Sequence, residues 1–384
     1  MSRNDKGEDL YIGLMSGTSI DAIDSAIVKY QDGKITLVAT REHSIPGKTR
    51  DRIAKISETG DDEIERLGRL DKELGILFGE ATLALLQQAK LAAHDIAAIG
   101  SHGQTIRHRP PSGLTHPDQS FTLQIGDPNT IAEQTGITTV ADFRRRDIAA
   151  GGEGAPLAPG FHAAVFAQPG INRAIVNIGG IANASILRGT DLIAGYDTGP
   201  GNTLLDNWIL KQRGTPYDKS GNWAAEGLVS EPLLQILLSH PYFTKTGPRS
   251  TGKEAFNLDW LDQCLSTLPK MEARDIQATL AELTAASIVK GIANSGIEIE
   301  EVYICGGGAH NTDLMRRLYN ELTPVVLDST IAIGMHPDWV EAAAFAWLAR
   351  QTLEQLAGNA PVVTGAAGPR ILGGIFPGNT ILKV

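Results

Sequence analysis

The stretch Tyr11–Val28 constrains this chain most. An apolar strand runs into Ser16, Gly17, Thr18 and Ser19, the chain turns at Asp21, and a second, alternating strand leaves. A Gly/Ser/Thr hairpin presents backbone N–H groups and hydroxyls to an anion, and Asp21 and Asp24 can reach a hydrated Mg²⁺. That arrangement suits the phosphates of ATP. A surface hairpin with polar turn residues has the same local pattern.

Length and composition narrow the options. A chain of 384 residues is long for one core, so two domains are expected. A net charge of -10 argues against a nucleic-acid partner, because phosphate backbones need clustered Lys and Arg. It does not oppose ATP, which is held by local amides and Mg²⁺. Cys264 and Cys305 are the only cysteines, which is no disulfide framework and suits a reducing compartment. No apolar run is long enough to span a bilayer, and Met1–Leu10 lacks an apolar signal core, so a cytoplasmic protein without membrane partners is expected.

The order of elements repeats. Tyr11–Met15, Ile23–Tyr30 and Lys34–Thr40 read as strands, Asp61–Gln88 as a helix with Ile64, Leu67, Leu74, Phe78 and Leu85 at helical spacing, and Ile96–Gly100 as a short buried strand. Asp127 reads as the N-cap of a helix to Thr135, with Pro128 first, before a strand Ile137–Val140. In the second half, strands Arg173–Asn177, Ala184–Leu187 and Leu192–Tyr196 precede a helix Ile276–Ala293. A strand Glu301–Ile304, a helix Thr312–Asn320, a strand Thr323–Leu327 and a helix from Val340 to about Leu356 follow. Arg107–Ser120 and Ala149–Phe161 read as long irregular stretches. Two α/β units, each opened by a glycine-turned hairpin, are expected to face each other across a ligand cleft.

Several motifs carry chemistry. Gly247–Lys253 resembles a P-loop, but Glu254 stands where a Mg²⁺-binding hydroxyl is needed, so a Walker-type site is rejected. Asn177, Gly179 and Gly180 form a candidate second phosphate turn, or a plain tight turn. Asp197, closing a buried strand before a glycine-rich turn, reads as a catalytic base, with helix capping as the bland alternative. Gly306, Gly307 and Gly308 after another strand invite a flat ligand or phosphate against the backbone. His102, Gln104 and Asn202 are candidates for substrate contact, while metal binding by His102 and His108 lacks a third ligand. Of Arg144, Arg145 and Arg146, one, taken as Arg145, is expected to meet a substrate carboxylate. Glu341, early in the last helix, faces the cleft or complements the positive helix end.

With these residues in view, the chain resembles the anhydro-N-acetylmuramic acid kinase family. The shared strings are Gly-Leu-Met-Ser-Gly-Thr-Ser at 13–19, Ser-His-Gly-Gln-Thr at 101–105, Ala-Asp-Phe-Arg-Arg-Arg-Asp at 141–147, Gly-Ala-Pro-Leu at 154–157, Asn-Ile-Gly-Gly at 177–180, Tyr-Asp-Thr-Gly-Pro-Gly-Asn at 196–202, Cys-Gly-Gly-Gly at 305–308 and Phe-Ala-Trp-Leu-Ala at 345–349. The resemblance implies an α/β fold of two actin-like (RNase H-like) domains with a central nucleotide and substrate cleft. Domain I would be 1–145 plus about 340–384, and domain II about 146–339. It implies a homodimer that uses ATP, Mg²⁺ and water to turn 1,6-anhydro-N-acetylmuramic acid into N-acetylmuramic acid 6-phosphate and ADP, in cell-wall sugar recycling. The nucleotide loop would be Gly17, Thr18, Ser19, Ile20, Asp21, Ala22, Ile23 and Asp24, and the catalytic acids Asp197 and Glu341.

Four positions depart from the family pattern: Ala22 where Gly is usual, Glu153 in a glycine-rich stretch, and Arg249 and Lys253 with the two basic types exchanged. Ala22 would restrict the turn if the position needs positive φ, and Glu153 would alter the charge around the sugar. A kinase of another anhydro sugar, such as levoglucosan, and a non-catalytic nucleotide sensor are the competing expectations.

Overall fold

The computed structural model describes residues 9–17, 20–31, 33–244, 251–252 and 255–378. Thr18, Ser19, Arg249, Lys253 and Glu254 lie outside them. The chain divides into two compact units, Met1–Phe161 with Trp339–Val384, and His162–Asp338.

In the first unit, β1 (Asp9–Met15), β2 (Ala22–Gln31) and β3 (Lys34–Ser44) form an antiparallel meander. The central β2 is buried along most of its length, whereas β3 lies at the edge and exposes much of its surface. β4 (Ile96–Ser101) runs parallel to β1, and a separate hairpin of β5 (Gln104–Arg109) and β6 (Phe121–Ile125) follows. β7 (Thr139–Ala141) is parallel to β4, and the strand Gly374–Phe376 closes the edge antiparallel to β7. Reading inward from the meander, the sheet order is β3-β2-β1-β4-β7.

The second unit repeats that order. β8 (Asn172–Ile178), β9 (Ile181–Arg188) and β10 (Asp191–Pro200) form the meander, and β11 (Glu301–Cys305) and β12 (Val326–Ser329) add in parallel, giving β10-β9-β8-β11-β12. A long helix joins meander to parallel strand in each: Glu63–Ala89 in the first and Ala273–Ala293 in the second. A three-stranded meander continued by two parallel strands is the RNase H-like, or actin-like, unit, so the chain is an α/β protein built from two of them.

Local chemistry explains the elements. Glu63–Ala89 buries Leu70, Leu74, Phe78 and Leu85 against the sheet core, one apolar stripe at helical spacing. Ile64 does not join that stripe; it is 85% exposed in the first turn. Asp127 caps the helix Pro128–Thr135, its carboxylate accepting the N–H groups of Asn129 and Thr130. The strand expected at Thr323–Leu327 begins only at Val326, because the helix runs to Leu322 and Pro324 has no N–H to donate to a ladder. The last helix is Val340–Leu353, three residues shorter than its periodicity allowed. The stretches read as irregular contain structure: β5 reaches Arg109, and a helix Ala158–Phe166 starts inside the second. The helix Gly47–Ile56 and the insertion between β10 and Ala273 were not anticipated. That insertion packs Trp208, Leu233, Phe243 and Phe256 into one cluster with Ile276, Leu280 and Leu283 of the helix Ala273–Ala293.

One contact fixes the first unit's architecture. The helix Val340–Leu353 lies on β1, β2 and β4, and it approaches so closely that side chains are excluded beneath it. A Cβ on Gly13 would stand 1.7 Å from the carbonyl oxygen of Ala342, and one on Gly100 would stand 1.9 Å from that of Phe345. Since these neighbours are backbone, they cannot swing aside. Gly13→Ala or Gly100→Ala should therefore destabilise the protein by about 3 kcal/mol or more. Gly68→Ala, at an open exposed helix position, should instead stabilise by about 0.5–1 kcal/mol. Urea unfolding of the three variants checks this; unchanged midpoints for the first two would mean that the helix does not sit there.

Candidate active site

In the first unit, the polar groups gather where β1 and β4 end. β1 gives way to Ser16 and Gly17. The Ser16 hydroxyl, buried, donates to Oε1 of Gln104 at 2.7 Å, and Nε2 of Gln104 donates to the carbonyls of Gly17 (3.4 Å) and Thr105 (3.2 Å). Gln104 is thus a strut under the β1–β2 turn. Ile20 has φ of 59°, a left-handed conformation that costs a branched residue about 1–2 kcal/mol. Ala22, in contrast, is buried and extended, pairing with Ser44 at the start of β2. The absent glycine at 22 therefore does not restrict the turn; the positive φ falls on Ile20. Asp21 is exposed at the turn and takes the Ala22 N–H on Oδ1 at 3.2 Å, while Asp24 pairs with Met15 within the sheet and Ile23 is core.

His102 follows β4. Its Nε2 accepts two N–H bonds from Arg144, from Nε at 3.1 Å and Nη2 at 2.9 Å, so this nitrogen carries the lone pair and the ring is neutral. Burial first, then the Arg144 charge, push His102 well below the usual imidazole range. Arg144 also donates to the Gly154 carbonyl at 2.9 Å. Burial lowers it to about 10, against the opposing pull of Glu341 and Asp147. Glu341 stands in the first turn of Val340–Leu353, half-buried, with its charge felt by Arg144. The structure therefore brings His102, Arg144 and Glu341 into one electrostatic group. Arg145 is 56% exposed, sits 3.5 Å from Asp142 and donates to the Thr122 carbonyl at 3.4 Å.

Asp147 holds this group from behind. Fully buried, it accepts bonds of 2.8 Å from the Gly154 N–H, the Asn359 amide and the Thr364 hydroxyl. Glu153 is drawn into the same frame, since its carboxylate accepts the Ser112 hydroxyl at 2.6 Å and the Ser112 N–H at 3.2 Å. Asn359 and Thr364 had no signal in the sequence, because their partner Asp147 lies far away along the chain.

In the second unit, the β8–β9 turn meets the ends of β10 and β11. The carbonyl of Gly179 accepts the Asn202 N–H (2.8 Å), and that of Gly180 accepts the N–H groups of Gly201 (2.9 Å) and Thr203 (3.1 Å). Nδ2 of Asn202 donates to the Ile178 carbonyl at 3.1 Å. Asn202 is thereby a brace of the turn. Gly306, with φ of 76°, and Gly308 are glycines because β8 leaves no room. A Cβ on the former would lie 2.2 Å from Oδ1 of Asn177, and one on the latter 2.3 Å from Cγ2 of Ile178. Gly307 alone of the three is exposed, with nothing nearer its Cβ position than Asn202 at 3.8 Å.

Asp197 lies within β10, opposite Asn183 and next to a register shift, and is only 8% exposed. Its Oδ2 accepts the Thr251 N–H at 2.9 Å, and its carbonyl accepts the Tyr242 hydroxyl at 2.6 Å. It does not cap the helix Thr203–Arg213, whose N-cap is Asn202.

Some buried polar atoms have no partner among the described residues: in the first unit Oγ of Ser101, which closes β4, and in the second Oδ1 of Asn177, near the end of β8, and Oγ1 of Thr203, after β10; others, such as those of Tyr30 and Gln277, lie on other elements. Buried polar groups are almost always satisfied. In α/β sheets the ends of parallel strands are the usual binding edge.

The family model described as anhydro-N-acetylmuramic acid kinase matches residues 9–378. The chain belongs to the anhydro-N-acetylmuramic acid kinase family. It is 49% identical over 371 residues to the anhydro-N-acetylmuramic acid kinase of Shewanella woodyi, covering 96% of this chain and 99% of that one. It is 50% identical over 370 residues to the Saccharophagus degradans protein of the same name, covering 96% and 98%. Among solved structures, the PilM-PilN type IV pilus biogenesis complex aligns over 88% of this chain and 97% of that one, at 13% identity and a TM-score of 0.45. Membership of that family makes the chain a sugar kinase. No helix among the described residues is long and apolar enough to cross a membrane.

The buried histidines give the protein an acid-side weakness. Burial lowers His108 to about 4, with Arg144 and Arg109 adding to it, and burial lowers His162 to about 3; His102 moves the same way. Above about pH 6.5 both folded and unfolded chains hold these rings neutral and nothing is lost. As pH falls from there towards the folded values, only the unfolded chain takes up protons, so stability drops by about 1.4 kcal/mol per pH unit per histidine. Urea midpoints measured between pH 7 and pH 5 should fall, and His108→Gln should flatten the slope by about one proton. Identical slopes in the two proteins would rule this out for His108.

Proposed function

We propose that this chain opens the anhydro ring of 1,6-anhydro-N-acetylmuramic acid with water and phosphorylates the freed O6 from ATP. The products are N-acetylmuramic acid 6-phosphate and ADP, and the reaction serves cell-wall sugar recycling. The observation that carries the reading is Asp197, a buried carboxylate within β10, one oxygen steadied by a backbone amide, on the strand that leads to Asn202. In this reading Asp197 takes a proton from water as the water oxygen bonds to C1. The bond from C1 to the bridging oxygen breaks, that oxygen becomes O6, and O6 attacks the γ-phosphorus as ADP leaves. Base-assisted attack of water across a sugar is the chemistry of an inverting glycosidase, with phosphoryl transfer in place of a general acid. In this reading Glu341 helps to orient the water.

The residues present fit ATP and a magnesium ion. In this reading the backbone at Gly179 and Gly180 approaches a phosphate, and Oδ1 of Asn177, unsatisfied among the described residues, lies just before that turn. Asp21, exposed at the first turn, is the acid that would hold a hydrated Mg²⁺, which keeps several waters and takes phosphate oxygens. The ion would neutralise charge on the phosphates during transfer.

Turnover is followed by ADP release. Asp197→Asn should lower it about a thousandfold while ATP affinity stays the same. Glu341→Gln should lower it about tenfold to a hundredfold. The acidic anhydro sugar should be turned over and neutral levoglucosan should not. Near-normal turnover by Asp197→Asn would remove that residue from the chemistry, and preference for levoglucosan would reassign the substrate.

A further inference from the structure

A second cationic feature lies in the first unit, apart from the His102 group. Where β7 ends, the register pairing Gly374 with Ala141 lays the segment before the last strand alongside the turn and helix that carry the three arginines. Between them is a hollow of about 700 Å³ lined by Asp142, Arg145, Arg146, Arg370, Gly373 and Gly374, among others. Arg144, one residue earlier, turns its guanidinium the other way, onto His102 and Gly154. The two cationic groups are therefore distinct although they share a helix.

The charge in the hollow is unbalanced. Three guanidinium groups face one carboxylate, and the Asp142–Arg145 pair, at 3.5 Å, is loose and exposed. Arg146 and Arg370 have no carboxylate within 4.0 Å among the described residues, and the Arg370 side chain donates only to its neighbour's carbonyl, that of Pro369, at 2.9 Å. The Arg370 backbone is nevertheless pinned, its N–H held by Oδ1 of Asn359 at 2.7 Å. Asn359 in turn is held by buried Asp147. Like charges gathered on a fixed frame repel, and they do so here on a chain of net charge -10. Forked guanidinium groups match pairs of anionic oxygens in bidentate fashion. A hollow of this size accommodates a small metabolite.

We propose that this hollow is a binding site for a small polyanion carrying at least two negative charges, a phosphomonoester or a polycarboxylate, separate from the sugar and nucleotide sites. Arg146 and Arg370 are its principal ligands, and the assignment does not depend on the reaction proposed above.

Isothermal titration of the full chain at low salt, with saturating ADP present, tests this with inorganic phosphate in one arm and citrate in the other. Saturable binding of at least one is expected; tighter phosphate binding identifies a phosphomonoester site, and tighter citrate binding a polycarboxylate site. The double variant Arg146→Ala/Arg370→Ala should weaken that binding by about tenfold or more, with the Arg→Lys pair in between. The KM for the anhydro sugar should stay within about twofold in both. No saturable binding of either anion, or unchanged affinity in the double variant, would overturn the proposal. So would a parallel rise of about tenfold in the sugar KM, which would make the hollow part of the sugar's own site.

Discussion

The close approach of the helix Val340–Leu353 to the sheet at Gly13 and Gly100 underlies the first unit. It joins a segment late in the chain to strands at its start, and only glycine permits the backbone-to-backbone distance. Its consequence is chemical. The helix start delivers Glu341 to the end where β1 and β4 stop, and one turn later Phe345 packs its ring 4.7 Å from that of His102. Arg144 meets the same histidine from β7. A charged, hydrogen-bonded group in a mostly buried setting is stiffer and electrostatically stronger than it would be in water.

The second unit uses the same device with different residues. Its glycines at 306 and 308 admit the end of β8, and Asn202 ties the Gly179–Gly180 turn to the strand that carries Asp197. An amide side chain donates to backbone carbonyls beside each glycine turn, buried Gln104 to that of Gly17 in one unit and half-buried Asn202 to that of Ile178 in the other.

The strand–turn–strand openings, the capped helix at Asp127–Pro128 and the repeated element order were readable from the sequence because each is a local pattern. What was not readable depends on distant partners. The β5–β6 hairpin has no tight-turn signal, since two short helical turns separate its strands. The helices inserted after β10 bury their apolar faces against the helix Ala273–Ala293, in a cluster that has no counterpart in the repeat. Which of three consecutive arginines reaches His102 is decided by the direction the chain takes after β7, and no feature of the run marks Arg144. The strained residue of the first turn is Ile20, although the departure from the family pattern pointed at Ala22.

The chemistry claimed for Asp197 is tested most directly by the fate of solvent oxygen. The enzyme is supplied with ATP, Mg²⁺ and 1,6-anhydro-N-acetylmuramic acid in ¹⁸O-labelled water, and the sugar phosphate is analysed at early times by mass spectrometry and ¹³C NMR. Activation of water by Asp197 predicts label on C1 and none in the phosphoryl group or at O6. An unlabelled C1, or label in the phosphoryl group, would contradict it.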